Sequence, residues 1–389
     1  MEPLVALCGI GLERVVAREL RKLGLRVLES RVGKVRFQAD IRGCYRALMG
    51  LRAADRVLWE AASFSAPDFD ALFEGVRDTP WERYIPPGMG LLVDKARLGR
   101  SAGDSRLRSA RSIQGLVHKA AAERLCRQYR CSRLPGGGEA ASLRVYIEQG
   151  RAQVLLDLCG EPLFKRGYRP QGGAAPLRET TAAALILLSG WRRKYPLYDP
   201  FCGAGTILIE AALYAWNMAP GLGRSFALSK LGVSDPKAEA EVREDLLRRI
   251  DLTRTVRLAG SDTDFKMLAL AQANALRAYQ NAKPSQGNGP PPLSLPAFQT
   301  CAMEDLRPSW AEPGFIITDP PYGKRLGDRR AAEAAYRNMA GLGRFFSGWK
   351  LGVITDHPGF ESHFGRKADA CREFTNGAAP AYFYQYRNL

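Results

Sequence analysis

Apolar residues recur along the first sixty positions with two different periods. Leu4 to Leu7 is a short apolar run ending at Gly9-Ile10-Gly11, after which Leu12, Val15, Val16, Leu20 and Leu23 repeat at helical spacing up to the C-cap candidate Gly24. Val27 to Glu29 and Lys34 to Gln38 predict short strands around a turn at Gly33, and Ile41 to Leu51 predicts a second helix. Further on, the pattern predicts a helix over Phe69 to Val76 and a strand over Leu91 to Lys95. A helix follows with Ile113, Leu116, Val117 and Leu125 on its apolar face, then a hairpin of Leu143 to Glu148 and Gln153 to Asp157 turned at Gln149-Gly150. The stretch FKRGYRPQGGAAP (164–176) carries three glycines, two prolines and three cations, and reads as an interdomain connection with a boundary near 165.

Beyond that boundary the periods alternate. Helices are predicted at 179–189, 205–216, 264–280 and 331–346, and strands at 197–199, 256–261, 298–302, 314–318 and 350–355. Strands separated by helices imply a parallel, doubly wound α/β sheet. The Pro/Gly/Ser-rich stretch NAKPSQGNGPPPLSLP (281–296) reads as a surface insertion within it.

The 389 residues are 46% hydrophobic and 25% charged, ordinary values for a core-forming chain, and length alone suggests two or three domains. The longest useful apolar run, Ala182 to Leu188, is under half of the roughly 18 residues a membrane span needs. The N-terminal MEPLVALCGIGLERVV has an acid where a signal peptide needs a basic region, so a cytoplasmic protein is expected. Eight cysteines without a C-x-x-C pair predict reduced thiols and no metal cluster. Lys and Arg number 57 against 40 Asp and Glu, a net charge of +17, which suits a polyanionic partner or simply an Arg-rich solvated surface. Part of the excess is local. Lys95, Arg97, Arg100, Arg106, Arg108 and Arg111 are opposed only by Asp94 and Asp104, and Lys165, Arg166 and Arg169 lie in the interdomain connection.

Three strand ends carry candidate chemistry. In PLYDPFCGAGT (196–206) an acid ends a strand, a Gly-x-Gly turn follows, and a helix begins. Ligands of open α/β sheets bind there, where glycines admit close backbone approach and helix N–H groups are unpaired. Leu208 stands where a dinucleotide fingerprint wants its third glycine, which disfavours a nicotinamide enzyme. Asp199 facing the turn suits a ligand with a cationic amine, such as S-adenosylmethionine (SAM). Asp262, ending LAGSD (258–262), would be the acceptor for both hydroxyls of an adenosine ribose. In IITDPPYG (316–323) two prolines remove N–H donors, leaving carbonyls and the Asp319 carboxylate as a rigid acceptor wall for a planar exocyclic amine, with Tyr322 against the base.

With these motifs, residues 177–389 resemble a SAM-dependent amino-methyltransferase of the N6-adenine/N2-guanine type. The chain as a whole is similar to the bacterial guanine-N2 methyltransferases of 23S ribosomal RNA, with further matches at LCGIGLERVVARELRKLG and FKRGYRPQGGAAPLRETTAAALILLSGW. The resemblance implies a Rossmann-like methyltransferase domain (179–389) preceded, through a linker (166–178), by an α+β region. That region comprises a ferredoxin-like segment (1–60) and a THUMP-like RNA-binding domain (61–165). Some family members are fused to a second methyltransferase that makes 7-methylguanine; a single catalytic domain is expected here.

The resemblance further implies cofactor contacts at Thr180, Asp199, Phe201, Cys202, Gly203, Gly205, Thr206, Asp262, Thr263, Ala302 and Met303, and catalysis by Asp319, Pro320, Pro321 and Tyr322. The expected partner is RNA, 23S rRNA or a large-subunit precursor, contacted by the basic residues of 95–111 and by Lys165, Arg166 and Arg169. Two departures stand out. Asp319 replaces the Asn usual in the ribosomal family, a form also found in tRNA guanine-N2 and DNA amino-methyltransferases, and Ala302 occupies the place of the third family acid, with Glu304 and Asp305 as neighbouring substitutes. Rival readings are therefore a tRNA guanine-N2 enzyme, a DNA adenine methyltransferase, and a non-catalytic RNA-binding assembly factor.

Overall fold

The structure is a computed structural model that describes residues 1–99, 107–169, 177–282, 295–321, 329–377 and 379–389. The N-terminal part runs β1 (Glu2–Leu7), α1 (Glu13–Lys22), β2 (Arg26–Arg31), β3 (Lys34–Ala39), α2 (Ile41–Gly50), β4 (Arg56–Ser65), α3 (Phe69–Asp78), β5 (Gly90–Leu98), α4 (Ala110–Tyr129), β6 (Ala140–Glu148) and β7 (Arg151–Asp157). Its strands form one seven-stranded sheet in the order β2-β3-β1-β4-β7-β6-β5, antiparallel except for the β5–β6 pair. Alternation fixes the faces. Leu4 and Ala6 of β1 enter the main core while Val5, between them, joins Leu58, Tyr146 and Leu155 in a small cluster on the other face. Helix starts follow the local chemistry, since the side chains of Asp40, Asp68 and Ser109 accept N–H bonds from Gly43, Ala71 and Ser112. The β6–β7 turn sits where expected, with Gln149 and Gly150 both at positive φ (50° and 70°), the geometry a two-residue hairpin requires.

The division placed at residue 60 falls inside β4, which pairs with β1 on one side and β7 on the other. The two N-terminal segments therefore share a strand. β4 itself was not predicted, because its buried stretch Val57 to Glu60 lacks a two-residue alternation.

The second part runs α5 (Glu179–Ser189), β8 (Leu197–Asp199), α6 (Thr206–Ala215), α7 (Pro236–Arg248), β9 (Leu258–Asp262), α8 (Phe265–Ala282), β10 (Ala297–Thr300), β11 (Phe315–Thr318), α9 (Arg329–Met339), β12 (Lys350–Thr355), α10 (Phe360–Phe364), β13 (Ala370–Asn376) and β14 (Ala379–Tyr386). The strand order is β10-β9-β8-β11-β12-β14-β13. The first five strands are parallel, as expected of a Rossmann-like α/β domain, whereas β14 and β13 close the edge as an antiparallel hairpin that the sequence reading did not include. The predicted helix 331–346 ends as α9 at Met339 and continues as a 3-10 turn over Ala340–Arg344.

The halves pack closely. One apolar core continues through both, Gly221 N–H donates to the Met49 carbonyl at 2.9 Å, and Ile10 and Thr375 exchange two 2.9 Å bonds. The described part of the connection read as a linker packs here: the buried Arg166 donates to the Arg52 carbonyl at 2.5 Å and the buried Tyr168 hydroxyl to Glu210 at 3.2 Å; residues 170–176 lie outside the described residues. Among the described residues, no helix is long and apolar enough to cross a membrane.

Candidate active site

The three strand ends meet because β8 lies between β9 and β11 in the sheet. Asp199 ends β8, 1% exposed, and its Oδ1 accepts bonds from Thr318 Oγ1 (2.6 Å) and Phe201 N (3.2 Å). Burial pushes its carboxyl up to about 7, the nearby Asp262 charge adds to the rise, and the two hydrogen bonds oppose it. A buried carboxylate without a counter-cation is costly, so the position is chemically matched to a ligand cation.

The glycine turn is held from several sides. Cys202 N–H donates to the Ser261 carbonyl (2.9 Å), Gly203 N–H to Asp262 Oδ2 (3.0 Å), and Asn274 Nδ2 to the Ala204 carbonyl (3.1 Å). Gly203 and Gly205 have φ of 48° and 80°, and a Cβ on Gly205 would stand 3.0 Å from Phe298 and 3.1 Å from Ala271. Only glycine is comfortable there. Gly260 is the same kind of constraint, since a Cβ would meet Leu208 at 2.6 Å, Cys202 at 2.8 Å and the Asp199 carbonyl at 3.0 Å. Asp262 Oδ1 accepts from Asp264 N (2.9 Å), so each of its oxygens has one protein bond and one lone pair over for a ligand hydroxyl.

The Asp199 and Asp262 acceptors and the glycine cradle between them have the chemistry to hold SAM, an acid for its cationic portion and an acceptor for its ribose hydroxyls. Phe201 and Gly203 are half-buried at the turn, Cys202, Gly205 and Thr206 are buried, and Thr263 is exposed beside Asp262. Half-buried Ala302 and buried Met303 open a 3-10 turn after β10, anchored where Cys301 N–H donates to the Asp262 carbonyl (3.2 Å). Glu304 Oε1 accepts instead from Asn338 on α9 (2.7 Å), and Asp305 is exposed.

Thr180, in the first turn of α5, donates its hydroxyl to Asp55 Oδ1 at 2.6 Å, across to the N-terminal half.

Asp319, Pro320 and Pro321 continue β11 beyond Thr318, half-buried, buried and half-buried in turn; Tyr322 lies outside the described residues. The Pro321 carbonyl accepts a 3.2 Å bond from the Tyr336 hydroxyl, which lies 3.0 Å from Thr355 Oγ1, and His357 N–H donates to that same Oγ1 at 3.0 Å. Beside it, Glu333, His357 and His363 converge with Nε2–Oε1 distances of 3.5 and 3.7 Å. The Gly359 amide donates to His357 Nδ1 (3.0 Å), and the Arg329 guanidinium lies 3.1 and 3.3 Å from His357 Nε2.

The expected RNA contacts divide. Lys95, Arg97, Arg108 and Arg111 are exposed; neighbouring burial, then the Arg97 and Arg144 charges, lower the Lys95 amine. Arg100 and Arg106 lie outside the described residues. Lys165 is exposed and paired with Glu161. Arg166 and Arg169 are corrections. Arg166 is 4% exposed, donating to the carbonyls of Arg52 (2.5 Å) and Leu163 (2.7 Å), with Glu210 at 3.5 Å. Arg169 donates to Glu179 (2.8 Å) and to the Leu177 carbonyl (3.2 Å). Both guanidiniums are bonded to interface carbonyls and carboxylates, and the buried one, Arg166, is closed to RNA.

Thr318, Asn274, Gly260 and Tyr336 were not among the expected site residues. Asn274 had one local cue, Arg277 one turn later, which donates to Asn274 Oδ1 (2.6 Å) and to the Tyr168 carbonyl (2.9 Å) and so ties the turn to the interface.

Known proteins match this chain along nearly its whole length. Residues 166–384 match the family described as RMKL-like, methyltransferase domain, and residues 3–58 match the RlmL ferredoxin-like domain. YpsC of Bacillus subtilis, named as a candidate RNA methyltransferase, is 35% identical over 387 residues, 98% of this chain and 95% of that protein. The ribosomal RNA large subunit methyltransferase K/L of Syntrophotalea carbinolica is 35% identical over 95% of this chain, which spans 51% of that protein's length. The solved structure of SMU.472, a candidate methyltransferase in complex with SAH, superposes with a TM-score of 0.87 at 33% identity, covering 100% of this chain and 98% of that one. The chain belongs to the RMKL-like family of SAM-dependent methyltransferases.

Proposed function

We propose that the protein transfers a methyl group from SAM to the exocyclic N2 amine of a guanine in RNA, with 23S rRNA as the substrate. The carrying observation is the acceptor wall of Asp319 and Pro320 at the end of β11, set beside the Asp199 end of β8. The names of YpsC and of the K/L relatives support RNA, and large-subunit rRNA in particular.

The cofactor supplies a methyl carbon already activated by a sulfonium, so the protein's work is positioning and charge placement. The guanine N2 lone pair is delocalised into the ring and is a poor nucleophile in the plane. Asp319 and the Pro320 carbonyl accept its two N–H bonds, favouring an sp3-like nitrogen aimed at the methyl carbon, and the Asp319 carboxylate takes the proton that N2 sheds on being methylated. The Pro321 carbonyl is already committed to Tyr336 and holds the wall in register. A base within a duplex cannot reach such a wall, so the target lies in a loop or is flipped out.

The test is mass-spectrometric mapping of N2-methylguanosine in rRNA and tRNA from cells with and without the protein. Loss from one 23S site supports the reading. Loss from tRNA supports the alternative that Asp319 favours, a tRNA guanine-N2 enzyme, and no loss from either overturns both.

A further inference from the structure

A cleft of about 640 Å³ lies between α1 and the catalytic domain, and its lining is cationic. Arg14, Arg18 and Lys22 are spaced four apart, so they form one row on α1, rising about 6 Å per step. All three are exposed. Arg193, after α5, and Arg372, on β13, also line the cleft, from the catalytic domain. None of these five has a carboxylate partner among the described residues. The acid that lines the cleft with them, Glu19, is turned inward, accepting N–H bonds from Arg52 and Ala53 at 3.0 Å each.

On the N-terminal sheet, by contrast, Arg31, Lys34, Arg36, Arg56 and Arg144 pair with Glu29, Glu148, Glu60, Asp157 and Asp94. The cleft departs from that pattern, concentrating unpaired positive charge in a concavity where low-dielectric walls focus its field.

Its floor offers more than charge. Tyr214 is flanked by the Arg193 and Arg52 guanidiniums, 4.5 and 5.6 Å from its ring centroid, and Trp191 lines the same wall. Tyr214 lies eight residues, or about 12 Å of helix, from Thr206 at the glycine turn. The cleft is thus set apart from the glycine turn by the length of α6.

We propose that this cleft binds the phosphate backbone of a single-stranded RNA segment flanking the methylated nucleotide, with Arg14, Arg18 and Lys22 contacting successive phosphates and Arg193 and Arg372 closing from the other side. The proposal rests on the reading that RNA is the substrate.

The test uses the full chain and a fluorescein-labelled oligouridylate of about fifteen nucleotides, titrated by fluorescence anisotropy across a range of salt concentrations. The R14Q/R18Q/K22Q variant should lower the slope of log affinity against log salt by about 2, at roughly 0.7 per lost phosphate contact, and R193Q/R372Q should lower it by about 1.4. SAM affinity, measured by calorimetry, should be unchanged in both, which separates lost contacts from lost folding. Slopes equal to wild type in both variants overturn the cleft and leave RNA methylation standing. Transfer of tritiated methyl groups to total cellular RNA is followed in parallel. Weakened oligonucleotide binding by the variants, with no methyl-accepting RNA for the wild type, would keep the cleft and remove the substrate reading.

Discussion

Thr318 donates a 2.6 Å hydrogen bond to Asp199, joining the strand that leads into Asp-Pro-Pro-Tyr to the carboxylate beside the glycine turn. Cofactor and acceptor walls are thereby fixed to each other through one buried contact. With Asp199 as the proposed partner of the SAM cation, its carboxyl, raised to about 7 by burial, ties cofactor binding to its ionisation. SAM affinity should rise as pH increases through about 7. D199N should weaken it about 10- to 100-fold, the worth of a charge-assisted contact, and flatten the pH dependence. Stability runs the other way. A carboxyl whose folded pKa is raised contributes stability at low pH that is lost as pH climbs from the ordinary carboxylate range to about 7. The ligand-free D199N protein should therefore lose less stability than wild type over that window; equal slopes in calorimetry would count against burial as the cause.

Tyr336 positions the acceptor wall through the Pro321 carbonyl. Y336F deletes one hydrogen bond of about 1 kcal/mol, so kcat should fall about 5- to 10-fold with SAM affinity unchanged. Steady-state kinetics with an RNA substrate and calorimetry with SAM read the two separately, and an unaltered kcat would remove the role.

Arg166 is an interface residue. R166M leaves Glu210, fully buried, without its nearest charge and frees the carbonyls of residues 52 and 163. Denaturant unfolding should show a loss of about 3–5 kcal/mol, and R166M/E210Q should recover part of it. The salt slope of RNA binding should stay at the wild-type value, in contrast to the cleft variants.

Gly260 is set by steric contact. G260A places a methyl within 3.0 Å of Leu208, Cys202 and the Asp199 carbonyl. Overpacking of this kind costs about 1–3 kcal/mol, and here it should also raise the Kd for SAM by displacing the turn. A normal Kd with lowered stability would mean the strain relaxes away from the site.

What was legible in the sequence was local. Asp199 with Gly203 and Gly205, Asp262 after its strand, and Asp319 before two prolines each announce themselves within a few residues, and the strand and helix periods around them placed the catalytic-domain elements except α7, α10, β13 and β14. Contacts far apart along the chain were not legible. Thr318 meets Asp199 across 119 positions, and Thr180 meets Asp55 across 125. Arg166 misled because a cation among glycines and prolines reads as solvated, while the fold supplies it with two carbonyls and a carboxylate. The β13–β14 hairpin did leave a signal, the alternating Ala381 and Phe383 with Tyr382 and Tyr384, but it lies outside the helix–strand rhythm that organised the rest.

The shared strand β4 also sets an order of events during synthesis. Its β1 partner is made before it, but its β7 partner begins at Arg151, roughly 85 residues later, a delay on the order of 4–17 s at ordinary translation rates. For that interval one edge of the nascent sheet has no neighbour, and the long wait between Ser65 and Arg151 is when the chain is open to wrong pairing. Ribosome-stalled chains ending near residue 120 should be cut by protease within 56–65, whereas chains stalled near residue 200 should resist.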